Sequence, residues 1–426
     1  MNRRKFDLWL PLSVASPGSL DDLVSMVRSA RQWQDPGKLD YGDHGLAAVI
    51  EAVSTAIKSN KRIALWADYD VDGTMSCVSW IWFFEAIGFK NWTWHIPCRF
   101  KEGYGLNLES LARLIDEEKA EVVITMDTGI TANEEAAYAK SRGVQFICTD
   151  HHKIQPEKMP DCLILNPKLH PDPAYQELCG CALTYVVLRK LASQFSFADP
   201  DDEKELWTDL VALAGMSTIC DVVPLNGVNH SLARLGVQAL LRSRRPVLQR
   251  LRWAAAAEER LDETDVGFRL GPRINAVGRL EHARLVVEAF IGGDPDPLVD
   301  RMSTCNEERK KIQAEIVADA RIQAQAQGDA PILFLGGDWH PGVVGIAASK
   351  IAEEFWRPVW LFQRKDGICK GSTRSISGFD VTAAMSDCGE LFTKFGGHAA
   401  AGGFTFAEEN EPKIRETLIS SAAKLF

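Results

Sequence analysis

The chain has no CxxC pair: ten cysteines are scattered through 426 residues, and the closest two are Cys179 and Cys181. So low a density excludes a disulfide scaffold and makes a reducing cytoplasm the expected compartment. Long apolar runs are missing too. None approaches the ~18 residues of a membrane span, and the N-terminal "MNRRKFDLWLPLSVASPGSLDD" breaks its short apolar stretch at Pro11 and Pro17. Neither a membrane partner nor an export signal is expected. Positive charge is also in deficit, with 48 Lys and Arg against 58 Asp and Glu and a net charge of −10. This excludes a surface coated in positive charge for nonspecific nucleic-acid binding, so any polyanion site has to be local. The densest basic stretch, "RSRRPVLQRLR" with Arg242, Arg244, Arg245, Arg250 and Arg252, reads as a solvated helix face and turn. Internal repeats and low-complexity tracts are absent.

A hydrophobic fraction of 46% over this length supports a sizeable core and two or more domains. From residue 61 to 150 strand-like and helix-like segments alternate: "RIALWA", "MSCVSWIWFFEAIG", "WTWHI", "LNLESLARLIDEE", "EVVITM", "ANEEAAYAKSRG" and "VQFICT". Such alternation calls for an α/β fold with a parallel sheet covered by helices on both faces. The stretch 182–325 reads as mostly helical, and its last part, "ERKKIQAEIVADARIQAQAQ", carries the chain between domains. From Pro331 the strand signals resume, with "PILFLG", "PVWLFQ" and the glycine-rich "FGGHAAAGGFTF", which makes a second, smaller α/β domain. The expected division is 1–290 (with an N-terminal extension over 1–45), a connecting helical segment 291–328, and 329–426.

Three polar motifs follow strand ends in the first domain. "ADYDVDG" holds Asp68, Asp70 and Asp72, "MDTGI" holds Asp127, and "TDHH" holds Asp150, His151 and His152. Ligands of open α/β sheets bind outside the carboxyl ends of the strands, so motifs 80 residues apart can converge there. In an extended reading the side chains of residues i, i+2 and i+4 share a face, which would crowd the first three aspartates together. Asp221 in "STICDVVPL" ends an apolar helix and is a further candidate. Such crowding is costly unless cations compensate it. Mixed oxygen and nitrogen donors point away from calcium and leave manganese, magnesium, zinc or iron, and the lack of cysteine in the motifs weakens zinc. Eight candidate ligands exceed what one octahedral ion accepts, so two ions sharing Asp127 are expected. Each motif alone has a structural explanation: a helix N-cap or Asx turn for "DYDVDG", a strand-to-helix turn for "MDTGI", a packed histidine pair, a helix end at Asp221. Four of them at sheet edges in one domain do not share one.

The motifs "DYDVDG", "PCRFKEGYGL", "MDTGI", "TDHH", "ICDVVPL", "GPRINAVGR", "WHPGVVGIAASK", "GSTRS" and "FGGHAAAGG" occur in this order between about residues 45 and 406. Together they make the chain similar to the DHH phosphoesterases, named for the triplet seen here as Asp150, His151 and His152. Within that family it resembles the branch that digests single-stranded DNA from the 5′ end. The resemblance implies a DHH catalytic domain with a helical extension, and a smaller DHH-associated domain that grips the strand. It implies Asp70, Asp72, Asp127, His151 and Asp221 as ligands of two ions, manganese or magnesium, with Asp127 bridging. Asp68, Asp150 and His152 would ligate or orient these. Many relatives carry histidine four residues before the Asp70 position; Trp66 stands there in this chain, which shifts a larger share of one ion to Asp68.

Forked guanidinium bonds from Arg99, Arg273 and Arg279 suit phosphate, and Tyr104 suits base stacking. Ser372 and Arg374 of "GSTRS", Gly397 and His398 of "FGGHAAAGG", and His340 of "DWHPGVVG" are the strand-binding candidates of the second domain; for His340 a helix-start hydrogen bond is an equal alternative. The implied activity is two-metal hydrolysis of single-stranded DNA to mononucleotides, in repair or recombination. The alternatives are a phosphodiesterase for oligoribonucleotides or cyclic dinucleotides, and a catalytically silent replication or repair scaffold that would have lost its ligands. Longer members of the branch carry an additional oligonucleotide-binding fold, for which the residues after the second domain leave no room. A single-strand-binding or repair protein is therefore an expected partner.

Overall fold

A computed structural model describes residues 18–30, 40–197 and 199–423. The prolines at 11 and 17, and residues 1–17 and 31–39 of the expected extension, lie outside the described residues. Among those described, no helix is long and apolar enough to cross a membrane. The contacts divide the chain into two units, one running to Gly278 with His282–Met302, the other comprising Arg279–Glu281 and the chain from Ser303 onward. This division falls inside the helix Asp296–Ala326, within the segment expected to connect domains.

The first unit holds a five-stranded sheet of β1 (Ile63–Ala67), β2 (Trp92–His95), β3 (Val122–Met126), β4 (Gln145–Thr149) and β5 (Leu163–Leu165). All neighbours are parallel and the order is β2-β1-β3-β4-β5. Side chains alternate between two cores: Ile63, Leu65, Ile124, Met126 and Ile147 face one, while Ala64, Trp66, Val123 and Cys148 face the other. Burial of both faces is what a parallel sheet demands, and it explains why these strands read as unbroken apolar runs. The short β5 has no sequence signal of comparable strength. The helix expected over "LNLESLARLIDEE" forms only over Leu108–Ala112 and then widens to a π-helical turn, Arg113–Glu117.

The strand order reverses at β1 and β3: the chain leaves β1 for β2 on one side and builds β4 and β5 on the other. Connections that depart in opposite directions open a crevice at the carboxyl ends of those two strands. Residues 68–72 follow β1, Asp127 follows β3 and residues 150–152 follow β4, so the topology lines these motifs along one edge. The helix Pro200–Cys220 packs on the helix Val71–Ala86 and delivers Asp221 to the same edge.

The basic stretch 242–252 is largely a structural tie rather than a solvated face. Arg245 reaches Asp209 at 2.7 Å and stacks on Trp82, Arg250 pairs with Asp296 at 3.0 Å, and Arg252 donates to the carbonyl of Leu241. Arg242 and Arg244 lie exposed, the latter paired with Glu205.

The second unit holds β6 (Leu333–Gly337), β7 (Val359–Lys365), β8 (Ile368–Arg374), β9 (Phe392–His398) and β10 (Ala401–Ala407) in the order β6-β7-β8-β10-β9. Only β6 and β7 are parallel. Phe334, Trp360 and Phe362 face one core and Leu333, Leu335 and Leu361 the other, so this smaller sheet is also covered on both sides.

Candidate metal centre

β1 ends at Ala67, and the chain bends at Tyr69 and Asp70 before the helix Val71–Ala86 begins. The three aspartates therefore do not share a strand face, contrary to the extended reading. Asp70 is the N-cap of that helix, its Oδ1 accepting from the backbone N–H of Asp72 at 2.9 Å and of Gly73 at 3.1 Å. Capping and convergence coexist, because a carboxylate has a second oxygen. Asp68, Asp70 and Asp127 offer oxygens within 4.8 Å of one another, whereas Asp72 turns the other way and joins His151 and Asp221 at the same spacing.

Asp127 and His151 link these two groups, and with His152 they form a third. His151 Nε2 lies 3.0 Å from Asp127 Oδ1 and 3.7 Å from both Asp72 Oδ2 and Asp221 Oδ2, yet makes no hydrogen bond. Asp68 Oδ1 is likewise buried without a partner. A lone pair and carboxylate oxygens that crowd one volume without aligning on each other are donors in want of a shared cation, since unpartnered buried polar atoms otherwise cost ~1–3 kcal/mol each. The donor set, carboxylates with the imidazoles of His151 and His152 and no thiolate, fits manganese or magnesium.

Asp150 has another task. Its Oδ2 accepts from Ile130 N–H at 2.9 Å, and its Oδ1 from the backbone N–H and Nδ1 of His152 at 3.0 and 2.7 Å. With both oxygens engaged it belongs to none of the donor groups, and its expected ligand role gives way to orienting His152. His152 itself lies 3.9 Å from Asp127 through Nδ1 and meets the hydroxyl of Tyr104 through Nε2 at 3.0 Å.

Sequence reading missed the segment that holds Asp72. The helix Gly180–Leu191 opens against it, with Gly180 N–H donating to Oδ2 at 2.5 Å and Cys181 N–H to Oδ1 at 2.8 Å. A Cβ on Gly180 would meet Asp127 Cβ at 2.8 Å and Asp72 Oδ2 at 3.0 Å, so only glycine lets the helix approach so closely. The signal was a glycine between Cys179 and Cys181 just before an apolar helix. Two backbone positions beside the site also lie in the left-handed region: Asp127 at φ 59° and Val222, next to Asp221, at φ 60°. The second is costly for a β-branched residue, and such strain persists where surrounding structure enforces it.

Burial, reinforced by Asp70, pushes the Asp68 carboxyl up to about 8. Burial and Asp72 push Asp221 up to about 8, and Asp127 is raised well above the carboxylate range by burial and four neighbouring aspartates. Asp150 goes the other way: burial opposes its ionisation, but hydrogen bonding and charge from His152 outweigh it. The same pair lifts His152 to about 9 against the effect of burial. Burial lowers His151, which favours the neutral imidazole that ligates metal.

Around the centre, the Arg99 guanidinium stacks 4.2 Å over Tyr69, and Tyr104 meets Tyr69 edge-on. Arg273 donates to the backbone carbonyls of Arg269 and Ala254, which ties it to two helix ends. Trp66 is fully buried, its ring 4.4 Å from that of His95 on the neighbouring strand.

In the second unit Arg279 points to the carbonyl of Gly342 at 3.5 Å, and His340 Nδ1 accepts from Gly342 N–H at 3.2 Å in the turn before the helix Val344–Phe355. Arg374 is half-buried and held by two hydroxyls and a carbonyl, Nε donating to Ser349 at 3.0 Å and one terminal nitrogen to Ser372 at 2.7 Å and to the Thr373 carbonyl at 2.8 Å. Among the described residues it has no carboxylate partner, and burial disfavours its charge. Gly397, at φ 146°, leaves room for β10, since a Cβ there would run into the carbonyl oxygen of Ala401. His398 is exposed on the edge strand β9.

Residues 62–215 match the DHH family, N-terminal domain, and residues 328–424 match the DHHA1 domain. The single-stranded-DNA-specific exonuclease RecJ of Bacillus subtilis is 35% identical over 92% of this chain, which spans 50% of that relative's length. RecJ of Salmonella typhimurium is 31% identical over 98% of this chain and 76% of its own. This chain belongs to the RecJ family. Among solved structures, exonuclease RecJ bound to manganese matches with a TM-score of 0.79 and 28% identity, over 91% of this chain and 97% of that one. RecJ from Thermus thermophilus in complex with Mn2+ matches at 0.81 with 27% identity, over 95% of this chain and 58% of that one.

Two outcomes follow for the centre. Between about pH 4 and pH 8 the folded metal-free protein holds protons on Asp68 and Asp221 that the unfolded chain has released, so its stability falls as pH rises. A cation takes the place of those protons, and the gain in melting temperature on adding MnCl2 is therefore expected to be larger at about pH 8 than at about pH 6; equal gains would contradict this. Gly180→Ala is expected to weaken Mn2+ binding by ~10-fold or more while the circular dichroism spectrum is kept. Unchanged affinity in a calorimetric titration would show that the helix start does not hold Asp72.

Proposed function

We propose that the chain is a metal-dependent exonuclease that hydrolyses single-stranded DNA from the 5′ end to mononucleotides, in DNA repair or recombination. The observation that carries this reading is the set of three donor groups that meet at the Asp127–His151 contact of 3.0 Å, with no hydrogen bond satisfying His151 Nε2. The named activity of the RecJ relatives supports the substrate, and the manganese and magnesium of the solved RecJ structures support the ions.

Asp68 and Asp70 would hold one cation and Asp72, His151 and Asp221 the other, with Asp127 serving both. When bound, the two cations activate water and offset charge on the phosphoryl and leaving oxygens. The chain's own contribution is preorganisation. Asp72 is fixed by two backbone N–H groups, Asp70 by the helix it caps, and His152 by Asp150, so little reorganisation is left for the reaction itself. Arg99 stands over Tyr69 beside Asp68, where a guanidinium can bond a phosphate oxygen without displacing a ligand. In the second unit Arg374 is an anion receptor prepared by two serine hydroxyls, and with no carboxylate to displace it meets a phosphate at low cost.

All ten cysteines are free thiols, which suits the reducing cytoplasm in which such an enzyme would meet its DNA. A single-strand-binding or repair protein remains our proposed partner.

Digestion of 5′- and 3′-labelled single-stranded DNA, duplex DNA and short RNA with manganese tests the reading. Release of mononucleotides from the 5′ end of single strands only is expected, and cleavage confined to dinucleotides would overturn it. Asp127→Ala is expected to lower kcat by ~1,000-fold or more, because Asp127 belongs to two of the three donor groups. Arg374→Ala is expected to raise KM for single strands by ~10-fold, and Arg374→Lys to restore little of it, since an ammonium cannot hold both serines and a phosphate. A KM unaffected by either change would remove Arg374 from the strand-binding surface.

A further inference from the structure

The loop between β2 and the helix Leu108–Ala112 brings Arg99 and Tyr104 to the metal centre, yet neither sits on a strand or helix of its own. We infer that Glu102 is the positioning residue that aims both, an inference resting on the nuclease reading above. Its carboxylate gathers three donors from three parts of the unit. Oε1 accepts from His95 Nε2 at 2.9 Å, at the end of β2, and from the hydroxyl of Ser110, in the helix that follows the loop. Oε2 accepts from Cys98 N–H at 2.5 Å, at the loop's own start. The Cys98 carbonyl in turn receives the N–H groups of Lys101, Glu102 and Gly103, so the loop is wound around this one carboxylate.

The histidine contact is defined as well as close. A terminal nitrogen of Arg113 lies 3.3 Å from His95 Nδ1. Arginine can only donate, so Nδ1 accepts and the ring proton sits on Nε2, pointing at Glu102. Burial would raise the Glu102 carboxyl, but the bonds from Cys98, Ser110 and His95 hold it below its ordinary range. Two residues on, Tyr104 stands between Gly103 at φ 88° and Gly105 at φ 86°. Glycines on both sides make that tyrosine the loop's most conformationally free point, and its place depends on what fixes the residues beside it. Its hydroxyl then reaches His152 Nε2 at 3.0 Å. On the other side of Glu102, the Arg99 guanidinium lies 4.2 Å over the Tyr69 ring, next to Asp68 and Asp70.

Glu102→Gln keeps size and shape but turns one acceptor into a donor facing other donors. It is expected to lower kcat/KM on single-stranded DNA by ~10-fold, and Ser110→Ala, which removes one bond of three, by less in the same direction. The Mn2+ affinity is expected to stay near wild type and the melting temperature to fall by no more than a few degrees. The decisive comparison is with the Arg99→Ala/Tyr104→Ala pair: if Glu102 acts through these two side chains, adding Glu102→Gln to that pair lowers kcat/KM little further. Losses that multiply, or a Glu102→Gln enzyme equal to wild type, would overturn the inference. Limited trypsin digestion reads the loop without any activity. Cleavage after Arg99, relative to that of a free peptide of the same sequence, is expected to be several-fold faster in Glu102→Gln. If the wild-type chain digests no DNA, the nuclease reading fails and the trypsin rates alone decide: faster cleavage supports the anchor, an unchanged rate refutes it.

Discussion

Repulsion among buried carboxylates is the constraint on which the first unit is built. Asp68, Asp72 and Asp127 are each at most 4% exposed and lie beside Asp70 and Asp221. Without compensation that concentration of charge would cost several kcal/mol per ion. The surrounding fold is arranged to tolerate it. One helix begins at Asp70 and another points its first N–H groups at Asp72, each meeting negative charge at a positive helix end. Asp127 and Val222 adopt left-handed backbone where the carboxylates of Asp127 and Asp221 approach the same volume.

The second unit poses the opposite problem. Arg374 is a half-buried cation held by hydroxyls, whereas Arg245 and Arg364 meet carboxylates. Uncompensated charge of either sign is what a binding site stores for its ligand. Arg245, Arg250 and Arg252 show the contrast, because their charges are already spent on holding helices together.

The sheet was legible because both faces of a parallel strand are buried, which writes each strand as an apolar run ending in polar residues. Asp127, His151 and the triplet at 68–72 were legible for the same reason: they follow such runs at once, as Asp221 follows an apolar helix. Other assignments were not. Whether Asp150 ligates or orients depends on the N–H of Ile130, twenty residues away. That Arg273 spends two of its five donors on the carbonyls of Arg269 and Ala254 is written nowhere in its motif. Gly180 and Glu102 meet their partners far along the chain or across a wound loop, and no local pattern reports a hydrogen-bond partner.

By itself the sequence determined the α/β class, the alternation of strands and helices, the residue types of a metal centre and the family. These depend on periodicity and on motifs contiguous in the chain. Only the tertiary structure decided which carboxylates form which group, that Asp70 both caps and converges, and that Asp72 parts from its neighbours to join His151 and Asp221. The physical reason is that donor geometry is set by the reversal of strand order at β1 and β3 and by helices that follow more than a hundred residues after Asp72, distances that a local reading does not span.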